Sequence, residues 1–299
     1  MKKSVVIALV LVVVGATVFA VDFVANGFRI RSTYGDFHPE SVTVEDPFTE
    51  VRVDNGTYRV RVIPSEDGVC RVDFDASEKM TVTAEVADGV LTVKQKDLRK
   101  WYEHIGWSDI GKRYLTLYLP ERTYGKLTVE SGSGSVELTT PYPFGEVGIE
   151  IGSGSFSAEG LTAECLHLHI SSGSGAISDV TVNEEFVAKV SSGSMKLTDI
   201  RAETLSAKIS SGKLIMTDVI AEGDAEIDVG SGGVVLDGFD AATIDIHVSS
   251  GGVKGTLLTA KMFDTHVSSG SVNVPPSDAS AGLCKIRVSS GSINLAIKD

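Results

Sequence analysis

The 299-residue chain has few of the residues that build disulfide-rich or cysteine-ligated metal proteins. It contains three cysteines, Cys70, Cys165 and Cys284, and no C-x-x-C pair. An odd, sparse set of this kind excludes a disulfide framework and argues against a structural zinc site. Cys284 falls on an apolar column of the repeat described below, so we expect it to be a buried free thiol.

Positive charge is also scarce. The chain has 27 Lys and Arg against 40 Asp and Glu, and its formal net charge is −13. This balance argues against nucleic-acid binding as the main task, because that task requires a basic surface. An acidic surface is able to attract cationic peptides, although most acidic proteins are simply soluble.

Motifs for catalysis and for cofactors are missing. Serine is plentiful, but no G-x-S-x-G sequence occurs at a strand-to-helix turn. The glycines lack the strand-to-helix setting of a phosphate loop, and the G-G-x-G-x-D calcium repeat is absent. The sequence therefore predicts no cofactor and no catalytic residue.

A single long apolar run, residues 5–21, follows two lysines at the N-terminus. Seventeen helical residues span about 25 Å, against a bilayer core of about 30 Å. The run suits a cleaved signal peptide, with Val18 and Ala20 at positions −3 and −1 of the cleavage site. Because residues 23–25 extend it, we favour a retained anchor through residues 4–25. This predicts a single-pass cell-membrane protein with the bulk of the chain extracytoplasmic.

A serine- and glycine-rich element recurs every 19 to 22 residues in the second half of the chain. Three residues before each glycine stands a β-branched aliphatic residue, and polar residues alternate with apolar ones around it. This alternation predicts short strands with one buried face. The recurring glycines are Gly132, Gly154, Gly173, Gly193, Gly212, Gly232, Gly251, Gly270 and Gly291.

The pattern predicts that each unit contains two strands joined by a Ser-Ser-Gly corner, with a second corner at Asp179, Asp199 and Asp218. Glycine suits a corner that needs positive φ, and aspartate can bond the local backbone there. An antiparallel meander and a parallel solenoid both fit two strands per unit. The solenoid explains the repeated columns, because it stacks like residues about 4.8 Å apart. We therefore predict an all-β solenoid of nine coils of about 20 residues, each stacked on the preceding one.

The pattern divides the chain into three parts. Residues 1–28 form the anchor or signal segment, residues 29–125 N-terminal β-coils, and residues 126–299 the regular repeats. An aromatic excursion at 97–113 interrupts the coils. Its Trp101, Tyr102 and Trp107 are candidates for capping the stack, for lying at the membrane interface, or for binding a partner.

Several stretches together resemble a known family. They are "VANGF" after the apolar run, "RVRVIPSEDGVCRV", "RKWYEHIGW", "YLTLYLPE" and the serial "VSSGS" elements. With these the chain resembles the bacterial repeat-containing surface proteins called "putative adhesins", a family of largely unknown function. The resemblance implies a right-handed parallel β-helix held outside a membrane anchor, and it supplies no catalytic residues. Relatives linked to cell-envelope stress sensing make that role an equal possibility.

One outward column, four residues before the glycines, is the candidate binding surface. We call it the lateral strip. Because we expect the coils to stack in chain order, His247 and His266 should stack directly. It could bind a ligand or metal, or be a solvated ladder that keeps the face soluble; two histidines without a third ligand make a poor zinc site. The lateral strip comprises His169, Lys189, Lys208, Asp228, His247, His266 and Arg287.

These features predict a non-enzymatic, membrane-tethered solenoid for cell-surface recognition or adhesion. Its partner would be a glycan or protein of the cell envelope. One alternative is sensing of envelope stress or cationic peptides, motivated by the net charge of −13. A polysaccharide-active β-helix enzyme is the other, and it would need clustered acids on one lateral face.

Overall fold

The computed structural model describes residues 12–17, 20–21, 24, 34–101 and 111–298. Most of the predicted anchor, and Tyr102 and Trp107, lie outside these residues. The described parts between residues 12 and 24 are helical. Within the described ranges, no helix combines the length and the apolar character needed to cross a membrane.

The described part of the chain forms 21 strands in one continuous sheet that winds into a solenoid. Their bounds are β1 His38–Val44, β2 Glu50–Asn55, β3 Arg59–Pro64, β4 Cys70–Ala76, β5 Met80–Ala87, β6 Val90–Asp97, β7 Tyr114–Leu119, β8 Tyr124–Ser131, β9 Ser135–Leu138, β10 Phe144–Ile151, β11 Ser155–Glu159, β12 Thr162–Ile170, β13 Ser174–Val190, β14 Ser194–Ile209, β15 Lys213–Val229, β16 Gly233–Val248, β17 Gly252–Leu257, β18 Met262–Val267, β19 Ser271–Asn273, β20 Leu283–Val288 and β21 Ser292–Ile297.

The predicted coil-on-coil stacking is confirmed. In the regular repeats the neighbouring strands are parallel, and Val190 lies opposite Ile209, which in turn lies opposite Val229. Like residues therefore meet like residues through the core, and the nine predicted coils of about 20 residues are present. A meander would have placed consecutive strands antiparallel, so that alternative is wrong for the repeats.

Each regular coil has three runs rather than the predicted two. In one coil the first run buries Leu205, Ala207 and Ile209, and the second buries Leu214 and Met216. The third run is only three residues long and buries the first and third of them, Val219 and Ala221. It pairs with 200–202 of the preceding coil. The sequence pattern missed this run because three residues are too few for a period of two to be recognised.

The two kinds of corner use glycine and aspartate for different reasons. Left-handed backbone falls on the aspartate corner, where Asp179, Asp199 and Asp218 have φ of 54°, 52° and 51°. The glycines of the Ser-Ser-Gly corner do not have positive φ. They are required because a Cβ on Gly193 would collide with the carbonyl oxygen of Gly173 in the coil above. The prediction of a positive φ at these glycines is therefore wrong; close approach of stacked backbones explains them.

Stacking follows chain order in the middle of the solenoid but not at its ends. The last coil in sequence, β20–β21, lies between the coil of β16–β17 and that of β18–β19. At the other end, β2–β3 lies between β6–β7 and β8–β9. The expectation that each coil rests on the preceding one is wrong at both ends, because sequence spacing carries no information on insertion.

A buried ion pair lies where the chain leaves the regular order near the C-terminus. Lys261 Nζ donates to the carbonyl oxygen of Ala241 at 2.6 Å and pairs with Asp240 Oδ1 at 2.7 Å. The side chains of Lys261 and Asp240 are only 5% and 13% exposed. The pair thus ties the segment before β18 to the third run of an earlier coil.

The N-terminal end is covered by β1, β4 and β5, which do not follow the solenoid. β4 pairs antiparallel with β1 and with β7, and β5 pairs antiparallel with β6. Tyr34 and Phe37 pack beside this end under two arginines. The C-terminal end is more open, since Met262 and Val267 are each 37% exposed.

The three cysteines are free thiols. Cys284 is fully buried on its apolar column, as predicted, and burial raises its pKa to about 12. Burial likewise raises the pKa of Cys70 to about 11. Cys165 is half-buried beside Glu184, and desolvation raises its pKa as well.

The close approach at the corner predicts that Gly193→Ala destabilises the fold by about 1–3 kcal/mol, the usual cost of overpacking. Gly233→Ala is the matched control, because a Cβ there meets no atom within 4 Å. Urea unfolding of both variants measures the difference. Equal unfolding free energies for the two would contradict the steric explanation.

Removing one member of the buried ion pair is expected to cost about 3 kcal/mol, because Lys261→Met leaves the Asp240 carboxylate buried without a counter-charge. The control is Arg52→Met, which breaks the exposed Arg52–Glu130 pair and should cost less than about 1 kcal/mol. Denaturant unfolding of both variants tests this. Losses of the same size would show that burial does not distinguish the two pairs.

Thiol alkylation should follow burial. Iodoacetamide attacks the thiolate, so we expect it to modify Cys165 alone in the native protein at neutral pH and all three cysteines after unfolding. Folding raises the pKa of Cys70 from 9.0 to about 11. Burial of the Cys70 thiol therefore contributes fully to the stability of the fold below pH 9, and this contribution is lost as the pH rises toward 11. Mass spectrometry identifies the sites, and early modification of Cys284 would refute the prediction.

Candidate functional site

The structure brings the seven residues of the lateral strip into one row. Each side chain is exposed or half-buried, and each lies on the strand that precedes a serine- and glycine-rich corner. From coil to coil the order is His169, Lys189, Lys208, Asp228, His247, Arg287 and His266. The row arises because parallel stacking without a register shift places the same outward position of every coil in line.

The expected direct stacking of His247 and His266 is wrong. Arg287 lies between them, opposite His247 on one side and His266 on the other. The two imidazoles are therefore two layers apart, about 10 Å at the usual strand spacing. The physical reason is the insertion of the last coil. Within the described residues, no group of three or more His, Cys, Asp or Glu side chains is placed to hold a metal ion.

The row continues toward the N-terminus with a shifted register. Glu150 lies opposite His169 on one side and opposite Glu130 on the other. Sequence spacing from Gly132 would have put Thr128 there, but Gly134 is the glycine whose carbonyl lies against Gly154. Arg52 pairs with Glu130 at 2.6 Å and so compensates one of the two stacked carboxylates.

The charges along the lateral strip are compensated at its C-terminal part but not in its middle. His247 Nδ1 lies 3.5 Å from Asp228 Oδ1, and Arg287 pairs with Asp245 at 3.3 Å. Lys189 and Lys208 are adjacent, and no carboxylate oxygen of the described residues lies within 4.0 Å of either ammonium. The middle of the strip is therefore positively charged and free to interact with anions.

Two shallow grooves border the lateral strip and the serines of the corner. One has a volume of about 320 Å³ and is lined by Lys208, Asp228, His247 and the corner serines beside them. The other, about 420 Å³, lies near the N-terminal end and includes Glu130, Glu150, His169 and Ser171. Residues of at least three successive coils line each groove, so the grooves suit an extended ligand better than an enclosed small molecule.

An acidic groove of about 450 Å³ lies farther round the same face and was not predicted from the sequence. Its carboxylates include Glu185, Asp224, Glu226 and Asp245. Glu226 and Asp245 stack on adjacent coils, and the hydroxyl of Thr243 donates to Asp224. The outward column two residues before the lateral strip held the signal, but the bulge after Ala221 hid the alignment of Asp224.

The predicted aromatic residues are only partly described. Trp101 is 79% exposed, and Tyr102 and Trp107 lie outside the described residues. Beside the N-terminal end of the stack the guanidinium carbons of Arg99 and Arg113 lie 4.0 and 4.3 Å from the centre of the Tyr34 ring. This cation–π stack is what the structure places there, and its members are too scattered in sequence to be recognised in advance.

Solved structures of bacterial proteins share this fold. A "putative adhesin" from Parabacteroides merdae is 14% identical, with a TM-score of 0.53, covering 88% of this chain and 97% of that one. A "putative lipid binding protein" from Parabacteroides distasonis is 18% identical, with a TM-score of 0.52, covering 86% and 96%. Another "putative adhesin" from P. distasonis is 16% identical, with a TM-score of 0.50, covering 88% and 98%. At these identities the likeness shows a shared fold alone.

Among curated proteins, none matches the chain significantly. The family model described as Toastrack DUF4097 matches residues 48–253 and again residues 176–299, which together cover nearly all of the solenoid. The resemblance to adhesin-like repeat proteins is thereby confirmed, and the chain belongs to the Toastrack DUF4097 family.

Proposed function

We propose that the chain is a non-enzymatic, extracytoplasmic recognition protein that contacts a cell-envelope glycan or protein through its lateral strip. One observation carries the proposal: seven exposed or half-buried polar side chains stand in register on consecutive layers beside open grooves. A repeating ligand can meet several layers at once. Multivalent contact of this kind raises avidity without any single strong site.

A membrane tether is part of the proposal. The apolar run from residue 5 to residue 21 behind two lysines supports it, as does its extension to residue 25. A tether through residues 4–25 would hold the solenoid at the cell surface with its bulk extracytoplasmic; cleavage after Ala20 would release it. A right-handed winding of the coils, as the family resemblance implies, completes this proposal.

The names of two solved relatives support a surface role. One is called an adhesin and the other a lipid-binding protein, and both names describe recognition rather than turnover. A glycosidase needs a carboxylic acid kept protonated, usually by burial in an apolar pocket. Asp224 and Glu226 in the acidic groove are exposed instead. Binding therefore fits this surface better than catalysis.

Sensing of cationic peptides is the second candidate function, and the acidic groove favours it. Four carboxylates line this groove of about 450 Å³ in a chain of net charge −13. A peptide with regularly spaced lysines or arginines would be attracted electrostatically at low ionic strength. This role would use a different surface from the lateral strip, so the two candidates can be separated by substitution.

The test uses the purified full-length protein in mild detergent. Binding to isolated envelope material is compared for the native chain and for the triple variant Asp228→Ser, His247→Ser, Arg287→Ser. We expect the variant to bind at least about tenfold more weakly, the effect of losing several exposed polar contacts. A control variant with Glu137→Ser, Lys254→Ser and Asn294→Ser, on the next face, should bind like the native protein.

Three outcomes would contradict the proposal. Equal binding by native and triple-variant protein would remove the lateral strip from recognition. Sustained turnover of any member of a polysaccharide panel would favour the enzyme. Salt-sensitive binding of cationic peptides that is abolished by Asp224→Lys and Glu226→Lys, without envelope binding, would favour peptide sensing.

A further inference from the structure

Positive charge is concentrated in two consecutive coils of this acidic protein. Residues 186–217 carry five Lys and Arg and two Asp and Glu, a net charge of +3 (5 − 2). The whole chain has a net charge of −13, so the remaining residues carry −16 (−13 − 3). The five cations of this segment are Lys189, Lys196, Arg201, Lys208 and Lys213.

Four of these cations surround one corner edge of the solenoid. Lys189 and Lys208 lie opposite each other on the strands before the Ser-Ser-Gly corners. After the corners, Lys213 lies opposite Ser194, and Lys196 is two residues farther along the same strand. All four lysines are exposed. We call Lys189, Lys196, Lys208 and Lys213, with the corner serines between them, the lysine corner.

The lysine corner has no internal counter-charge. No carboxylate oxygen of the described residues comes within 4.0 Å of any of the four ammonium groups, whereas the exposed pairs Arg52–Glu130, Lys126–Glu146 and Arg287–Asp245 occur elsewhere on the surface. Like charges directly opposite each other on neighbouring strands are destabilising. An arrangement of this kind becomes favourable when an anion lies between the ammonium groups.

The remaining groups at the lysine corner determine how an anion would be held. Backbone N–H groups are already used, since Ser192 N and Gly193 N both donate to the carbonyl oxygen of Ser171. An anion must therefore be bound by ammonium groups and by serine hydroxyls. Ser191, partly exposed, and Ser210, exposed, stand in the chain between the lysines of the two faces, and Ser191 Oγ lies 3.5 Å from His169 Nε2. A site that offers hydroxyls beside ammonium groups suits a ligand that carries both hydroxyl and anionic groups.

We infer that the lysine corner binds a linear acidic polysaccharide through its carboxylates, which deepens the recognition role proposed above and rests on it. The corner is an open edge rather than an enclosed cavity, so it can follow an extended polymer across two or more layers. Lysines on adjacent coils, about 4.8 Å apart, offer successive contacts to carboxylates that repeat along a sugar chain. The serines can bond the sugar hydroxyls.

The surroundings disfavour denser polyanions. Glu184, Glu185 and Asp228 lie on the same or neighbouring layers, and the rest of the chain is strongly negative. Nucleic acid carries one charge per about 1.7 Å of duplex and would be repelled by these carboxylates. A polymer with one carboxylate per sugar can place its charges on the lysines and its neutral hydroxyls elsewhere.

The experiment titrates the full-length protein in mild detergent with polygalacturonate, with neutral dextran, and with vesicles of anionic phospholipid. We expect binding to polygalacturonate at low salt, no binding to dextran, and weakening as salt is added, since exposed charges are screened. The double variant Lys189→Ser, Lys208→Ser should bind about tenfold more weakly, as expected when two exposed ion pairs are lost.

Two controls separate charge from structure. The variant Lys254→Ser, Lys285→Ser removes two lysines elsewhere and should bind polygalacturonate like the native protein. The variant Lys189→Arg, Lys208→Arg keeps the charge and should retain binding. The thermal unfolding midpoint of each variant should be no lower than that of the native protein, so that loss of binding is not loss of fold.

The inference is overturned if native protein ignores polygalacturonate at low salt, if the two serine variants bind alike, or if anionic vesicles bind while polygalacturonate does not. These failures differ from failure of the proposed function. Should the native protein still bind envelope material through Asp228, His247 and Arg287 while ignoring polygalacturonate, recognition by the lateral strip stands and only the ligand class is wrong.

Discussion

The structure depends on the unbroken contact of each coil with the same positions of its neighbour. At the Ser-Ser-Gly corner the backbones approach so closely that a Cβ on Gly193 or Gly212 would collide with the coil above. The backbone ladder therefore continues through the turn, as Ser192 N bonded to Ser171 O shows. Because the register does not slip there, both the buried aliphatic columns and the outward polar columns stay aligned. The lateral strip exists for the same reason as the core.

Much of this architecture could be predicted from the sequence. The β-branched column that includes Val190 and Ile209 indicated stacked coils, and its members do lie opposite each other. The aspartate corner was recognised from Asp179, Asp199 and Asp218 and carries the left-handed backbone. Wherever the coils stack in chain order, the repeat period correctly predicted which residues of the lateral strip are neighbours. These predictions succeeded because each coil of a repeat protein contacts only its neighbouring coils. The repeating sequence pattern therefore specifies which residues from different coils meet.

The remaining features depend on contacts that a repeat does not encode. Insertion of β20–β21 places Arg287 between His247 and His266, and nothing in the spacing distinguishes an inserted coil from an appended one. The cation–π cover of Tyr34 by Arg99 and Arg113 joins residues far apart in the chain. The lysine corner could be predicted only in part. Lys189 and Lys208 were recognised as members of the lateral strip. Lys196 and Lys213 belong to the next face, and only the folded corner brings the two faces together.

The order of layers at the C-terminal end constrains how the stack is completed during synthesis. The outermost layer, β18–β19, rests on β20–β21, which leaves the ribosome later. Coils can therefore be added in chain order only as far as β17. The outermost layer can pack in its final place only after β20–β21 has been made. Residues 275–281 connect the outermost layer to the inserted one, and within this connection Asp278 N donates to the carbonyl oxygen of Lys261. Removing the last strands would take away an interior layer, not a terminal one.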